Sequence, residues 1–308
     1  MRRAFFETLT EIACQDERIV LLTGDLGFMA VEGFQDRHPS RFFNVGVAEQ
    51  NMVGMATGMA KAGMIPFCYS IIPFVLLRPY EFIRNGPVMH RLPVRIVGVG
   101  AGYDYGNNGF THHGTEDLAV ARVLPGMVVL APADSAQMRS MLRQTWAQPG
   151  PAYFRIGRDD RPVMPGLDGA FDADRVALCR AGDAVLILTL SSIAPDVAVA
   201  ASLLAEDGIE STVGVVGQLS PPPRDHLVEL LSSFRLVVTV ENHSIDGGIG
   251  SVIAEILAEE NLNCRLVRCG FRIQLDGRTG RTAYLNQRQG LSPEALAASI
   301  ARAHRGPL

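Results

Sequence analysis

The chain has 308 residues, about twice the ~150 residues that set the prior for one domain, so two compact domains are expected. Hydrophobic residues make up 47% and charged residues 19%, with Lys+Arg 28 against Asp+Glu 32 for a formal charge of −4, which excludes a disordered chain and a broadly basic nucleic-acid binder. Five scattered cysteines, odd in number and without a metal-type CxxC, fit a reduced, cytoplasmic compartment.

Arg2 and Arg3 are followed at once by Glu7, without the apolar run of a secretion signal. Apolar, β-branched runs then recur at residues 19–22, 94–99, 127–130, 184–190, 211–216 and 236–240, separated by helix-period segments such as 194–206 and 224–231. This alternation predicts an α/β chain of two domains, each a largely parallel sheet flanked by helices. The longest weakly charged stretch, 42–82, contains Glu49, Lys61 and Arg78 and reads as core rather than as a membrane span. Within it, residues 47–63 predict a helix buried nearly all round. Met52, Met55 and Met59 share one side, and Gly54 and Gly58 flatten another for close approach of a second backbone. Glu49 in the first turn reads either as a helix-start acid facing solvent or as a buried carboxyl able to bond a protonatable ligand nitrogen.

After the run 94–99, the glycines at 98, 100 and 102 miss the dinucleotide spacing, because Tyr103 stands at the next position required and no helix opens there. The polar loop 106–117 follows, with Asn107, Asn108, His112 and His113 at the carboxyl end of a parallel strand, where α/β sheets bind ligands. Adjacent histidines rarely converge on one ion, so no metal ligand is assigned in this chain. The loop is either catalytic or an ordinary connection with Thr111 or Thr115 capping the next helix. Prolines and glycines between Arg161 and Ala170 mark a boundary, dividing the chain into a domain at 1–160, a linker at 161–181 and a domain at 182–308. Pro221, Pro222 and Pro223 form the rigid start of a helix. The glycine-rich turn 246–251 serves either an anion or close helix–sheet packing.

Several segments together carry a family resemblance: Gly24-Asp25-Leu26, the run from Phe43 to Met52 containing Ala48-Glu49-Gln50-Asn51-Met52, Tyr69-Ser70 with Phe74 and Arg78, and Thr111-His112. Pro125-Gly126-Met127, Pro151-Ala152 with Arg155 and Arg158, and Val240-Glu241-Asn242-His243 with Gly247-Gly248-Ile249-Gly250 complete it. In order and spacing the chain resembles the C-terminal half of a transketolase, or of 1-deoxyxylulose-5-phosphate synthase, over essentially its whole length. The resemblance implies a pyrimidine-binding domain followed by a transketolase C-terminal domain, with thiamine diphosphate as cofactor. It also implies that Glu49 bonds the cofactor's pyrimidine nitrogen, that Phe74 stacks on the pyrimidine, and that Asp25 and Arg78 lie beside the cofactor. His112 then faces the substrate carbonyl, and His113, Asn108, Arg155 and Arg158 are substrate candidates. Either arginine is alternatively a surface ion pair.

The family's Gly-Asp-Gly and later asparagine, which hold Mg²⁺ and the diphosphate, do not occur here. The resemblance therefore implies a partner chain carrying them, an α2β2 assembly, and transfer of a two-carbon ketol unit from a phosphorylated or nucleotide-linked ketose to an aldehyde. Rival readings are the β subunit of a 2-oxo acid dehydrogenase first component and a non-catalytic assembly subunit of the same fold. No nucleic-acid or membrane partner is implied.

Overall fold

A computed structural model describes residues 1–159, 163–273 and 275–306. Asp160, at the end of the expected first domain, and Arg161 and Pro162, at the start of the expected linker, lie outside the described residues. Among the described residues there are twelve strands: β1 (Ile19–Thr23), β2 (Phe42–Asn44), β3 (Ile65–Ile71), β4 (Arg95–Val99), β5 (Val128–Leu130) and β6 (Ala152–Ile156), then β7 (Ala177–Arg180), β8 (Val185–Thr189), β9 (Ser211–Val215), β10 (Gln218–Ser220), β11 (Leu236–Ser244) and β12 (Arg265–Phe271). They form a seven-stranded sheet in the order β10-β5-β6-β4-β3-β1-β2 and a five-stranded sheet in the order β12-β11-β8-β9-β7. Both sheets are parallel except where β10 meets β5 and β7 meets β9. The two-sheet α/β plan expected from the apolar runs is thus the observed one.

Burial on both faces explains the composition of the central strands. Every residue of β1, β4, β6, β8 and β9 is buried, as parallel strands covered by helices require. The helices Arg2–Ala13 and Ser135–Thr145 close one face of the first sheet through Phe5, Leu9, Met138 and Leu142. A second cluster runs from Val20, Leu22 and Met52 on into Leu186, Leu188 and Ile253, so one continuous core joins the two sheets. The last residues of the expected linker form β7, and β10, from the second half of the sequence, adds an edge to the first sheet.

Arg95 and Glu241, inside central strands, are enclosed and satisfied. Arg95 of β4 is fully buried and donates to the carbonyls of Trp146, Gly150 and Gln148, where the helix Ser135–Thr145 ends. Burial pulls its pKa down to about 10. Glu241 of β11 accepts from the amides of Ile249 and Gly250, both at 3.0 Å, and so fills the start of the helix Ile249–Glu259. A Cβ on Gly248 would stand 1.7 Å from Glu241 Oε2. Of the two readings of this glycine-rich turn, close packing is therefore the observed one. The triple proline leads directly into the helix Arg224–Ser233, whose Leu227 amide bonds the Pro223 carbonyl.

The helix Glu49–Lys61 differs from expectation. Glu49, Met52, Val53, Ala56 and Ala60 are buried, but Gln50, Gly54, Gly58 and Lys61 are exposed, so the helix is covered on one side only. Nothing lies within 4 Å of a Cβ built on Gly54 or Gly58. The close backbone approach expected at these glycines is absent among the described residues. No described helix is long and apolar enough to cross a membrane.

Candidate active site

The parallel register sets the carboxyl ends of β1, β3 and β4 side by side, with Thr23 opposite Tyr69 and Ser70 opposite Gly98. Ligands bind at such ends because the loops there leave the sheet in divergent directions and open a crevice. Thr23 Oγ1 donates to the Leu26 carbonyl at 2.7 Å and turns the chain at the end of β1. Asp25 there adopts φ 57, a left-handed conformation that aspartate tolerates. Asn44, at the end of β2, ties this turn to the next. Its Oδ1 accepts from the Asp25 and Gly46 amides, and its Nδ2 donates to Asp25 Oδ1, all at 3.0 Å.

Glu49 begins the helix that follows β2 and is 1% exposed. The helix dipole favours its negative charge, and two side chains meet its carboxylate. Ser70 Oγ donates to Oε1 at 3.3 Å, and Arg78 Nη1 to Oε2 at 2.5 Å. Gly24 packs against it so closely that a Cβ would lie 3.0 Å from Oε1. A buried carboxylate has about four acceptor positions, so two such donors leave it capacity for at least one more partner. Of the two readings of Glu49, the buried carboxyl is the one observed.

Phe74 and Arg78 lie on a π-helical turn, Pro73–Leu77, and the residue that closes it. Turns of this kind recur at functional sites because the extra residue re-aims side chains. The Arg78 guanidinium sits 4.4 Å over the Phe74 ring, a cation–π contact that links the aromatic face to Glu49. Phe74 also meets His112 edge-on, with ring centroids 5.1 Å apart. Thr111 Oγ1 is 2.9 Å from His112 Nδ1, which leaves Nε2 as the nitrogen available to a ligand. Glu49, Arg78, Phe74 and His112 thus form one connected line across the crevice, beside Asp25.

The remaining substrate candidates separate. Arg158, just beyond β6, is accessible and lies 4.9 Å over Tyr105, with its amide bonded to Asp104. Asn108 is exposed in the same loop region, with its amide bonded to the Tyr105 carbonyl. Arg155 does not fit a substrate contact. It is fully buried, and all five of its N–H groups are engaged by Asp117, Ser191, Gly114 and Asn242. Nor is it a surface ion pair, since Asp117 is equally enclosed. His113 is buried edge-on against Tyr103, 4.9 Å between centroids. Burial lowers its pKa, with a Gly106 backbone hydrogen bond acting in the opposite sense.

Sequence reasoning missed Ser70 as a Glu49 partner, Asn44 as the tie between turns, and Asp117 with Tyr153 and Asn242 as the setting of Arg155. Only an arginine embedded in the apolar run of β6 hinted at the last. Neither Thr111 nor Thr115 caps the following helix, Asp117–Arg122, which has no side-chain cap. Among the described residues no group of three or more His, Cys, Asp or Glu side chains could hold a metal ion. A thiamine-type pyrimidine fits the residues present: one enclosed carboxyl with spare acceptor capacity, a glycine cradle at Gly24, and an aromatic ring beside a histidine.

Residues 1–162 match the family described as transketolase, pyrimidine binding domain, and residues 174–296 match transketolase, C-terminal domain. A protein designated a transketolase C-terminal section in Methanocaldococcus jannaschii is 35% identical over 303 residues, covering 97% of this chain and 95% of that protein. The 6-deoxy-6-sulfo-D-fructose transketolase subunit SqwH of Clostridium sp. (strain MSTE9) is 35% identical over 297 residues, covering 96% and 92%. A split-gene transketolase solved as an inactive β4 tetramer superposes with a TM-score of 0.88 at 34% identity, covering 98% of this chain and 97% of that one.

Proposed function

The chain belongs to the transketolase family, and from that premise we propose that it is the C-terminal subunit of a split, thiamine diphosphate-dependent transketolase that moves a two-carbon ketol unit from a ketose to an aldehyde. The observation that carries this reading is the enclosed Glu49 carboxylate, joined through Arg78 and Phe74 to His112 at the carboxyl ends of the first sheet. In this reading residues 1–160 form the pyrimidine-binding domain and 182–308 the C-terminal domain, joined by 161–181.

When bound, thiamine diphosphate supplies an acidic thiazolium carbon and an electron sink for the ketol unit. The chain's own residues do the rest. Glu49 bonds the pyrimidine ring nitrogen and holds a proton there, while Ser70, Arg78 and Gly24 fix its orientation. Phe74 offers an apolar face that excludes water, and Asp25 borders the pocket. His112, oriented by Thr111, directs Nε2 at the substrate carbonyl, where it donates to the oxygen as charge develops and takes the proton back afterwards. Asn108 and Arg158 border the entrance, and Arg158 offers a bidentate donor to a phosphorylated ketose or acceptor.

The diphosphate and Mg²⁺ would be held by a partner chain with Gly-Asp-Gly and an asparagine, in an α2β2 assembly. This is supported by the absence of such a segment here and by apolar surface around the site: Phe28, Met29 and Val47 are 71%, 92% and 74% exposed. The open glycine face of the helix Glu49–Lys61 suits the same contact. The β4 assembly of the split-gene relative, solved as inactive, agrees with a chain that needs its partner. Five free cysteines suit a cytoplasmic enzyme.

The test is Glu49→Gln in the reconstituted two-chain enzyme, followed by deuterium exchange at the thiazolium carbon without substrate. Exchange should slow by about a hundredfold or more, the lower end of general acid–base effects. Unchanged exchange would return Glu49 to a structural role and the chain to a non-catalytic assembly subunit.

A further inference from the structure

Where Tyr103, Phe110 and His113 of the first half face residues 268–299 of the second lies a cavity of about 460 Å³ with a strongly one-sided charge. Arg268, Arg272, Arg278 and Arg288 line it against a single carboxylate among the described residues, Asp276. That carboxylate is shared by two of them, Arg278 at 3.4 Å and Arg288 at 3.0 Å. Arg268 donates from Nη1 to the Ile245 carbonyl at 3.1 Å, which leaves its charge uncompensated. Arg272 has no carboxylate in salt-bridge range among the described residues. Like charges converging on one concavity repel one another and raise the local potential for an anion. The planar guanidinium forks suit phosphate oxygens in particular.

His113, 7% exposed, forms part of the same wall, so its ring lies where an occupant of the cavity would be sensed. We propose that this cavity is a binding site for a small phosphate-bearing anion, separate from the ketol-transfer crevice. It shares walls with the loop that carries His112. The Gly280 amide donates to the Gly106 carbonyl at 3.2 Å, Thr282 Oγ1 to the Tyr103 carbonyl at 3.0 Å, and Gln289 Nε2 to the Tyr103 hydroxyl at 3.4 Å. An anion drawing Arg278 and Arg288 inward therefore acts on the segment against which the loop rests, which makes the site regulatory in position.

The test titrates the full chain with inorganic phosphate and, separately, with glycerol 3-phosphate, using calorimetry and the imidazole proton resonances. A saturable site with a dissociation constant of about 1 mM or tighter is expected, with the His113 resonance moving along the same isotherm. The resonance is assigned by its loss in His113→Phe. Arg272→Ala should weaken binding at least about tenfold while circular dichroism stays unchanged, and Arg158→Ala should leave it within about twofold. Tighter binding of glycerol 3-phosphate identifies a phosphate ester as the occupant, and tighter binding of inorganic phosphate a free anion; either supports the site. No saturation by 20-fold the expected constant, on the order of 20 mM, would overturn it. So would binding lost in Arg158→Ala but kept in Arg272→Ala, which would put the phosphate in the crevice instead.

Discussion

Replacing Arg155 with methionine removes the side chain that ties the two halves of the molecule together. Arg155 Nε donates to Asp117 Oδ2 at 2.8 Å, and its two Nη groups reach Gly114 in the first half and Ser191 and Asn242 in the second, all between 2.8 and 2.9 Å. Methionine fills much of the volume but offers no donor. Asp117, 0% exposed, would keep only the Tyr153 hydroxyl on Oδ2, and its Oδ1 already lacks a partner. Breaking one member of a buried pair costs about 3–5 kcal/mol, because the surviving charge stays enclosed without compensation. That is a large share of the roughly 5–15 kcal/mol that holds a typical domain folded. Urea unfolding can be followed by the fluorescence of Trp146, the single tryptophan, which reports the first half, and by far-ultraviolet circular dichroism, which reports both. The variant should unfold at lower urea, and the two transitions should cease to coincide as the halves uncouple. Adding Asp117→Asn removes the stranded charge and should restore at least about 2 kcal/mol. A loss below about 1 kcal/mol, or no recovery in the double variant, would refute the reasoning.

Three further outcomes are expected. His112→Ala should lower single-turnover rates about 10²–10³-fold with cofactor exchange near normal, whereas His113→Ala should chiefly lower stability through its lost contact with Tyr103; equal small effects on turnover would remove His112 from the mechanism. Gly24→Ala places a Cβ 3.0 Å from Glu49 Oε1 without straining the backbone, so cofactor affinity should fall by about tenfold or more at unchanged melting temperature, and an unaffected affinity would mean that Glu49 is not the cofactor's anchor. Burial lowers the pKa values of His38, His113 and His226, so the folded chain takes up these protons less readily than the unfolded one; the stability they contribute is present above the ordinary value of 6.5 and is lost as pH falls below it. The urea midpoint should therefore drop between pH 7.5 and pH 5.5, and a midpoint that holds or rises would contradict the burial of these rings.

What the sequence made legible follows from where each residue sits relative to the sheets. The central strands β1, β4, β8, β9 and β11 stood out because burial on both faces leaves an unbroken apolar run. The edge strands β2, β7, β10 and β12 did not, since an edge needs no such run, and Pro66, Tyr69 and Ser70 disguised β3. The same logic sorts the charged residues. Arg95, Arg155 and Glu241 lie within buried central strands, where a charge is tolerated only with partners already in place, and each is satisfied internally by carbonyls, a carboxylate or amides. Glu49, Arg78, His112 and Arg158 lie beyond strand ends, where loops can aim a side chain into the crevice. Arg155 and Arg158 looked equivalent as a pair three residues apart, but one is inside β6 and the other two residues past it. Position relative to the end of the strand, more than residue type, therefore decides which arginine binds the fold together and which is left for a substrate.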